Sequence, residues 1–364
     1  MQLLKPKKKI RYAVVGLGHI AQTAVLPAFK NARKNSQLVA LVSGDKEKLK
    51  KLGDKYRIEK RSLYSEFEEL MKTGEVDAVY IATPNFYHRN IMETAARYGV
   101  HVLCEKPMAV TTEDCYAMLN EAENYGIQFM IAYRLHFQAA NLEAIKRAHS
   151  KRIGDLKIFN SVFTFEVKDP RNIRLDVAER GGGPLYDIGI YCINASRTLF
   201  KAEPIEVFAT ANSTKDSRFR KNDETISCIL KYPDGKMANF TVSFGSFPTS
   251  DYDLIGTKGR IRLEKGYGHS SAMLLKTFEE GKIFKKRFSE RDQFAPELIY
   301  FSDCIQRKKK VGPSGEEGLM DVKIIEALLL SIDLGSPITL EEINRRRSSS
   351  ENQKMTRPSY LQSH

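Results

Sequence analysis

A carboxylate and a phenol lie four residues apart near the middle of the chain. Both residues belong to the segment 181–191, GGGPLYDIGIY, of which Asp187 is the seventh residue and Tyr191 the last. A spacing of four places both side chains on one face of a helix. Together such groups can position a polyol and pass a proton, provided that a cation lies near the phenol. The same pattern is also typical of a core tyrosine that follows an acid stabilising a helix N-terminus.

A lysine that could supply this cation follows an apolar segment. Glu105 and Lys106 belong to the segment 104–107, CEKP. Ligands of open α/β sheets bind beyond the carboxyl ends of the strands, where a lysine can orient a substrate hydroxyl or change the acidity of a neighbour. The alternative is a surface lysine before a proline turn. A second segment of this kind contains Thr83, Pro84, Asn85 and His88.

The first apolar segment leads directly into a glycine-rich string. The string consists of Gly16, Leu17, Gly18, His19, Ile20 and Ala21. Between a strand and a helix, such glycines let the backbone approach a pyrophosphate, which then lies over free N–H groups at the helix N-terminus. The position and the context therefore predict a dinucleotide site, and the alternative is a tight turn without a ligand.

The end of the second predicted strand indicates which dinucleotide binds. An Asp or Glu usually binds the adenine-ribose hydroxyls of NAD there, whereas this chain has Ser43 and Gly44, with Lys48 shortly after. A hydroxyl with nearby ammonium groups suits a 2′-phosphate. The carboxylate of Asp45 complicates this prediction. The alternative for Lys46 and Lys48 is that they lie on a solvated helix face and bind no phosphate. NADP is favoured, with NAD possible.

Short β-like and helical segments alternate in the first part of the chain. We predict strands at 10–15, 37–42, 76–81, 101–104 and 129–132, and a helix that begins after Thr111 and Thr112. Strand–helix alternation at this spacing is typical of a doubly wound parallel sheet. The fold class is therefore α/β, with an N-terminal Rossmann domain at residues 1–150.

After residue 150 the pattern becomes that of a mostly antiparallel sheet in an α+β domain. We predict strands at 156–167, 205–211, 224–232, 236–244, 252–255 and 260–263, and helices at 187–200, 296–307 and 316–334. Turn sequences such as Pro233-Asp234-Gly235 separate the strands. This second domain spans 151–343, and we predict a basic, disordered tail at 344–364.

Composition and charge exclude several classes of protein. The 364 residues include no apolar segment long enough to span a membrane. The net charge of +13 lies mainly at the two ends, within 1–11 and 345–364, which argues against a nucleic-acid-binding face. Five scattered cysteines and no visible secretory signal indicate reduced thiols in a cytoplasmic protein without a metal site.

Taken together, these motifs resemble the glucose-fructose oxidoreductase / inositol dehydrogenase / rhizopine-catabolism oxidoreductase family. The resemblance extends from residue 10 to about residue 340. It is closest to the glucose-fructose oxidoreductase branch, on the segments 133–136 (YRLH), 187–191 (DIGIY) and 315–322 (GEEGLMDV). It implies an open-faced C-terminal β-sheet that often makes oligomer contacts, and thus a dimer or tetramer.

The resemblance also implies roles for individual residues. A sugar or polyol would lie between Lys106, Asp187 and Tyr191, with Tyr191 as the acid/base, Lys106 adjusting the acidity of the phenol and Asp187 orienting the substrate. Ser43 and Lys48 match contacts to the 2′-phosphate, and Tyr64 and Arg134 match further cofactor contacts. The remaining predicted cofactor contacts are Thr83, Pro84, Asn85, His88, Glu105, Lys106, Ile173 and Arg174. The branch tends to have Trp-Arg where this chain has Ile173 and Arg174, the chain having no Trp at all.

The resulting prediction is an NADP-dependent oxidoreductase that transfers hydride between a sugar carbon and nicotinamide. A xylose or dihydrodiol dehydrogenase would carry similar motifs. A third alternative, from another functional class, is a non-catalytic NADP-sensing regulator, for which the basic ends of the chain are the only support.

Overall fold

The computed structural model describes residues 8–269 and 271–340. Its first layer is a six-stranded sheet formed by β1 (Ile10–Val15), β2 (Ser36–Val42), β3 (Lys60–Ser62), β4 (Ala78–Ile81), β5 (His101–Glu105) and β6 (Phe129–Ala132). The order is β3-β2-β1-β4-β5-β6, and all neighbours are parallel. This is the strand order of a doubly wound nucleotide-binding sheet, so the predicted fold class of this part is confirmed.

Helices cover both faces of this sheet. They are α1 (Leu26–Ala28), which continues a π-helical turn at Ala21–Val25, and α2 (Lys46–Tyr56), α3 (Phe67–Lys72), α4 (His88–Arg97), α5 (Thr112–Asn124) and α6 (Ala139–His149). The predicted start of a helix after residue 111 is confirmed, because the Thr111 hydroxyl accepts a hydrogen bond from the Asp114 N–H at 3.1 Å. Such a cap satisfies one of the free N–H groups of the first turn.

The second layer is a nine-stranded sheet. It contains β7 (Leu156–Thr164), β8 (Glu206–Asn212), β9 (Thr225–Lys231), β10 (Met237–Ser243), β11 (Thr249–Gly256), β12 (Gly259–Glu264), β13 (Met273–Glu279), β14 (Lys282–Phe288) and β15 (Ile338–Thr339). The order is β14-β13-β12-β11-β7-β10-β9-β8-β15, and only the β7–β10 pair is parallel. The mostly antiparallel sheet is therefore confirmed, whereas β3, β13, β14 and β15 were not predicted.

Three helices of the second half connect the two layers. They are α7 (Ile190–Phe200), preceded by a π-helical turn at Leu185–Gly189, α8 (Phe294–Arg307) and α9 (Gly315–Leu334). α7 and α9 pack between the nine-stranded sheet and the first layer. α8 instead returns to the first sheet, where Phe301 packs with Tyr12 and Leu41.

The predicted domain boundary near residue 150 falls just after α6, and it stays a prediction. The predicted tail at 344–364 lies outside the described residues. All five cysteines are free and buried. Within the described ranges, no helix has the length and apolar character needed to cross a membrane.

Candidate functional site

The turn between β1 and the following helix has the shape that a nucleotide cradle requires. Gly16 has φ 95°, and a Cβ at this position would lie 2.7 Å from the carbonyl carbon and oxygen of Ala82. Only glycine fits there, because the two strand ends approach so closely. A Cβ on Gly18 would meet nothing within 4 Å. The turn is thus closed against β4 at its first glycine and open to the cleft at its second.

The residues around this turn leave polar groups available for a ligand. The helix begins at His19 and Ile20, while Leu17 is buried below them. The Thr83 hydroxyl, beyond the end of β4, is buried and has no hydrogen-bond partner in the described part of the chain. Such an orphaned group is rare in a folded protein and fits a site that a polar ligand completes. The cleft therefore fits the pyrophosphate-containing cofactor that the sequence predicts.

At the end of β2, the side chain of Asp45 is turned toward its own helix. Its carboxylate caps α2 by accepting the Lys48 N–H at 3.0 Å, and it also pairs with the Lys48 Nζ at 3.2 Å. The buried Ser43 hydroxyl accepts the Asp45 N–H at 3.2 Å. The exposed Tyr64 ring lies beside Gly44, with ring carbons 3.3 Å from the place of a Cβ. Asp45 is thus occupied as a cap, and Ser43, Lys48 and Tyr64 line the same corner.

His88 holds together the loops that follow β4 and β5. Its Nδ1 lies 3.0 Å from the Pro107 carbonyl oxygen, and its Nε2 lies 3.0 Å from that of Thr83. Burial lowers the pKa of His88, and the hydrogen bonds to the backbone oxygens around it act in the opposite direction. Both nitrogens are therefore engaged with the backbone, and a direct contact between His88 and a cofactor stays a prediction.

Three further predicted cofactor residues lie on these loops. The Asn85 side chain donates to the Gly181 carbonyl at 3.3 Å, which links the first layer to the glycine segment before α7. The adjacent Pro84 is exposed at the cleft edge. Glu105 accepts a hydrogen bond from the Tyr80 hydroxyl at 2.8 Å, and burial raises the pKa of this carboxyl. Glu105 thus supports the loop that carries Lys106.

Lys106 and Asp187, far apart in sequence, meet in the cleft between the two layers. The Lys106 Nζ donates to the Asp187 backbone oxygen at 2.8 Å and to its Oδ1 at 3.2 Å. The second carboxylate oxygen accepts a hydrogen bond from the Arg174 Nε at 2.6 Å. Asp187 therefore bridges two cations, an arrangement of charge-assisted hydrogen bonds that fixes all three side chains.

The charges of this cluster stabilise one another. Burial alone would raise the pKa of Asp187, but Lys106 and Arg174 outweigh it and lower this pKa to about 2. Burial alone would lower the pKa of Lys106, but the acidic groups around it, Tyr191 first, outweigh it and raise this pKa above its usual value. At neutral pH the cleft therefore holds an ionised carboxylate and an ionised ammonium group.

Tyr191 lies directly beside this cluster. The Lys106 Nζ lies 4.6 Å from the centre of its ring, and the Arg134 guanidinium carbon lies 5.0 Å from it. The tyrosine is 8% exposed, and its hydroxyl has no hydrogen-bond partner among the residues that the structure describes. The structure thus brings together all three residues that the sequence predicts as catalytic.

Arg134 is held by parts of the chain that the sequence did not single out. Its guanidinium donates to the Gln293 side chain and to the Tyr267 backbone oxygen, both at 2.7 Å.

Ile173, predicted near the cofactor, is 63% exposed at the rim of the cleft. The pairing of Arg174 with Asp187 was also missed, since Arg174 was predicted only as a cofactor contact. In the described part of the chain, no His, Cys, Asp or Glu side chains form a metal-binding group.

The strand order and the glycine turn define a protein of the Rossmann-type nucleotide-binding class. The chain belongs to the GFO/IDH/MocA oxidoreductase family. The family model described as "Oxidoreductase family, NAD-binding Rossmann fold" matches residues 10–133, and the "GFO/IDH/MocA C-terminal domain" matches residues 142–262. The resemblance stated from the sequence is therefore confirmed.

Several relatives are similar over most of their length. A D-xylose 1-dehydrogenase [NADP(+)] of Haloarcula marismortui is 31% identical over 91% of this chain and 93% of its own. A trans-1,2-dihydrobenzene-1,2-diol dehydrogenase of Mus musculus is 32% identical over 70% of this chain and 75% of its own. The crystal structure of an aldose-aldose oxidoreductase from Caulobacter crescentus, complexed with glycerol, is 36% identical with a TM-score of 0.87, over 92% of this chain and 100% of that one.

Proposed function

We propose that the protein is an NADP-dependent oxidoreductase that transfers hydride between a carbon of a sugar and the nicotinamide. The observation that carries this proposal is the Tyr191 hydroxyl, free of partners in the described structure, beside the ion pair of Lys106 and Asp187. This cluster faces the same cleft as the glycine turn. A proton donor, a cation and an acceptor for hydroxyl groups thus lie where a sugar and a dinucleotide can meet.

In the oxidation direction, Tyr191 takes the proton of the reacting sugar hydroxyl on its phenol oxygen. The base in this step is the phenolate form of Tyr191, and the positive charges of Lys106 and Arg134 lie against its ring. Asp187, kept ionised by its two cations, accepts a hydrogen bond from a sugar hydroxyl and thereby orients the ring. The cofactor, when bound, supplies the hydride acceptor.

The corner at the end of β2 supports NADP as the preferred cofactor. Asp45, which could otherwise bind ribose hydroxyls, is occupied by the α2 N-terminus and by Lys48. Ser43 and Lys48 would hold a 2′-phosphate, with the Tyr64 ring beside them. The Haloarcula relative is an NADP-dependent enzyme by name, which supports the same preference, and NAD remains the second cofactor to test.

The relatives support an aldose as the substrate class. The Haloarcula enzyme is named for its action on xylose, and the Caulobacter enzyme for its action on aldoses. Dihydrodiol oxidation is the second candidate, because the murine relative covers 70% of this chain with 32% identity. An NADP-sensing regulator without activity would not need a phenol held against a lysine.

The test of the proposal is Tyr191→Phe. Removing the proton-transferring hydroxyl is expected to lower kcat for aldose oxidation by about 100-fold or more, while the affinity for NADP and the melting temperature stay unchanged. Tyr125→Phe, at an exposed site on the first layer, is the matched control. Full turnover by Tyr191→Phe would refute the proton-transfer role, and NADP binding without reduction by any aldose would support the regulator.

We also propose a cytoplasmic homo-oligomer, a dimer or a tetramer. The face of the nine-stranded sheet turned away from the helices carries partly exposed apolar side chains, at Ile158, Val162, Ile229 and Met237. Apolar residues clustered on one exposed face are typical of a protein interface.

A further inference from the structure

The loop between β12 and β13 belongs to the second layer but is tied to the elements around the cofactor cleft. Three of its consecutive backbone oxygens accept hydrogen bonds from side chains on α6, after β6 and before α8. The pairs are Asn141 with Gly266 at 2.9 Å, Arg134 with Tyr267 at 2.7 Å and Gln293 with Gly268 at 3.0 Å. The loop is therefore fixed in place before a ligand binds, which lowers the entropic cost of any contact that it makes.

The next residue of this loop is His269. Its imidazole is exposed and makes no hydrogen bond to the residues that the structure describes. It interacts electrostatically with Arg134 on one side and with His19 on the other. Arg134 lies against the Tyr191 ring, and His19 is exposed on the glycine turn. His269 thus lies between the proposed catalytic cluster and the predicted place of the pyrophosphate.

We propose that His269 binds the pyrophosphate of the cofactor from the second layer, while the glycine turn binds it from the first. This proposal rests on the proposed function, because it requires NADP in the cleft. The turn offers backbone N–H groups at a helix N-terminus. An imidazolium adds a charge-assisted hydrogen bond to a phosphate oxygen, which is stronger than a bond between neutral groups. His269 is thus a positioning residue that couples the second layer to the cofactor.

The charges around His269 make this contact dependent on pH. Partial desolvation first, and then repulsion by Arg134 and His19, lower the pKa of His269, while Glu290 acts in the opposite direction. A pyrophosphate beside the ring favours the imidazolium and raises this pKa again. Cofactor binding therefore takes up a proton at His269. The resulting gain in affinity is fully present at low pH and is lost as the pH rises through the pKa of His269 in the complex.

The 2′-phosphate of NADP titrates in the same pH range, because the second pKa of a phosphate monoester is about 6. Its loss of charge at low pH weakens the predicted contact with Ser43 and Lys48. The pH profile of a single protein therefore contains two opposite effects. A comparison of two proteins that differ only at position 269 cancels the effect of the 2′-phosphate.

The experiment measures the Kd of NADPH by its fluorescence, at about pH 6 and about pH 9, for the wild type, His269→Gln and His269→Arg. At the lower pH, His269→Gln should bind NADPH about tenfold more weakly than the wild type, the effect of one charge-assisted hydrogen bond. At the higher pH the two proteins should agree within about twofold. His269→Arg keeps its charge at both pH values, so it should match the wild type at the lower pH and bind more tightly at the higher pH.

A second ligand locates the contact. Adenosine 2′-monophosphate contains the adenine, the ribose and the 2′-phosphate, but no pyrophosphate. Its Kd, measured by displacement of NADPH, should be the same for the wild type and His269→Gln at both pH values. The melting temperatures of the three proteins should also agree, because the side chain at position 269 is exposed.

The outcomes separate this proposal from the proposed function. An equal Kd of NADPH for the wild type and His269→Gln at the lower pH, or an equal weakening at both pH values, would overturn the contact and leave the proposed function standing. A weakened binding of adenosine 2′-monophosphate would likewise overturn it. The expected pH dependence in a protein that oxidises no aldose would retain the contact and refute the activity. A wild type that binds no NADPH at either pH would refute both.

Discussion

At the scale of single residues, the Asp45–Lys48 pair controls the corner where the adenine ribose would bind. Removing the lysine takes away a cation and also releases the Asp45 carboxylate from its 3.2 Å partner. Both effects act against a 2′-phosphate, and neither acts against the free ribose hydroxyls of NAD.

We therefore predict that Lys48→Ala raises KM for NADP by about tenfold while KM for NAD changes little. The measurement is steady-state kinetics with each cofactor at a fixed aldose concentration. Lys46→Ala, an exposed neighbour on the same helix, is the control and should change neither constant. Equal losses with both cofactors would show that Lys48 does not contact the phosphate.

The residues of the site could be predicted in part. The glycine string and the spacing of Asp187 and Tyr191 are local patterns, so the sequence alone indicates them. The contact of Lys106 with Asp187 joins residues 81 positions apart, and only the packing of the two layers brings it about. Arg174 was assigned to the cofactor because its neighbour stands where relatives have an aromatic ring. Nothing in its own sequence context indicates the bond to Asp187.

At the scale of elements, the turn from β1 into the first helix contains one glycine that the fold requires and one that the ligand requires. Gly16 is required by its φ of 95° and by the nearby Ala82 carbonyl, whereas Gly18 faces open space. The two glycines of one motif therefore serve different purposes.

We predict that Gly16→Ala lowers the free energy of unfolding by roughly 1–3 kcal/mol through backbone strain and crowding. Gly18→Ala should leave this free energy within about 0.5 kcal/mol, yet weaken NADP binding by about tenfold, because the methyl group occupies the space of the ligand. Urea denaturation and a fluorescence titration with NADPH measure the two effects. A stable Gly18→Ala protein with unchanged affinity for NADPH would show that the cofactor does not bind at this turn.

Three of the four strands that were missed, β3, β14 and β15, lie at the edges of their sheets, whereas β13 lies inside its sheet. β14 reads KIFKKRF and is exposed along almost its whole length, so it shows no alternation of apolar and polar residues. β3 has only three residues and lies at the edge of its sheet. Edge strands gain their structure from hydrogen bonds to one neighbour, which a local hydrophobic pattern does not report.

A buried ion cluster fixes the helix that carries Tyr191. Arg197 of α7, only 2% exposed, pairs with Asp321 of α9 and with Glu203. The Asn194 side chain donates to the same Asp321 and accepts from His136. The segments 133–136 and 315–322, on which the family resemblance rests, thus meet behind α7 through His136 and Asp321 and hold its position.

We predict that Arg197→Met lowers the free energy of unfolding by about 3–5 kcal/mol, because Asp321 is left buried without its cationic partner. Arg307→Met removes an exposed ion pair with Asp303 and should cost less than about 1 kcal/mol. Urea denaturation at neutral pH gives both values. A loss of less than about 1 kcal/mol in the free energy of unfolding of Arg197→Met would show that the ion cluster is not required for stability.

At the scale of the whole molecule, the outer face of the nine-stranded sheet is the proposed oligomer contact. We predict that Val162→Glu, which places a carboxylate at the centre of this face, converts the oligomer to a monomer, because an unpaired charge in an apolar interface is costly. Sedimentation velocity measures the change. Tyr125→Glu, on the first layer, should leave the oligomer intact, and an unaffected Val162→Glu oligomer would place the contact elsewhere.

The return of α8 to the first sheet has a consequence for synthesis on the ribosome. A nascent chain that has reached residue 150 contains all six parallel strands, but it lacks the helix that covers Tyr12 and Leu41 and whose Ser302 hydroxyl lies 2.7 Å from the Tyr12 hydroxyl. At about 5–20 residues per second, this apolar face stays uncovered for roughly 8–30 s until α8 emerges. During translation the nucleotide-binding half is therefore a client for chaperones, and a chain truncated near residue 150 should aggregate instead of folding as an independent module.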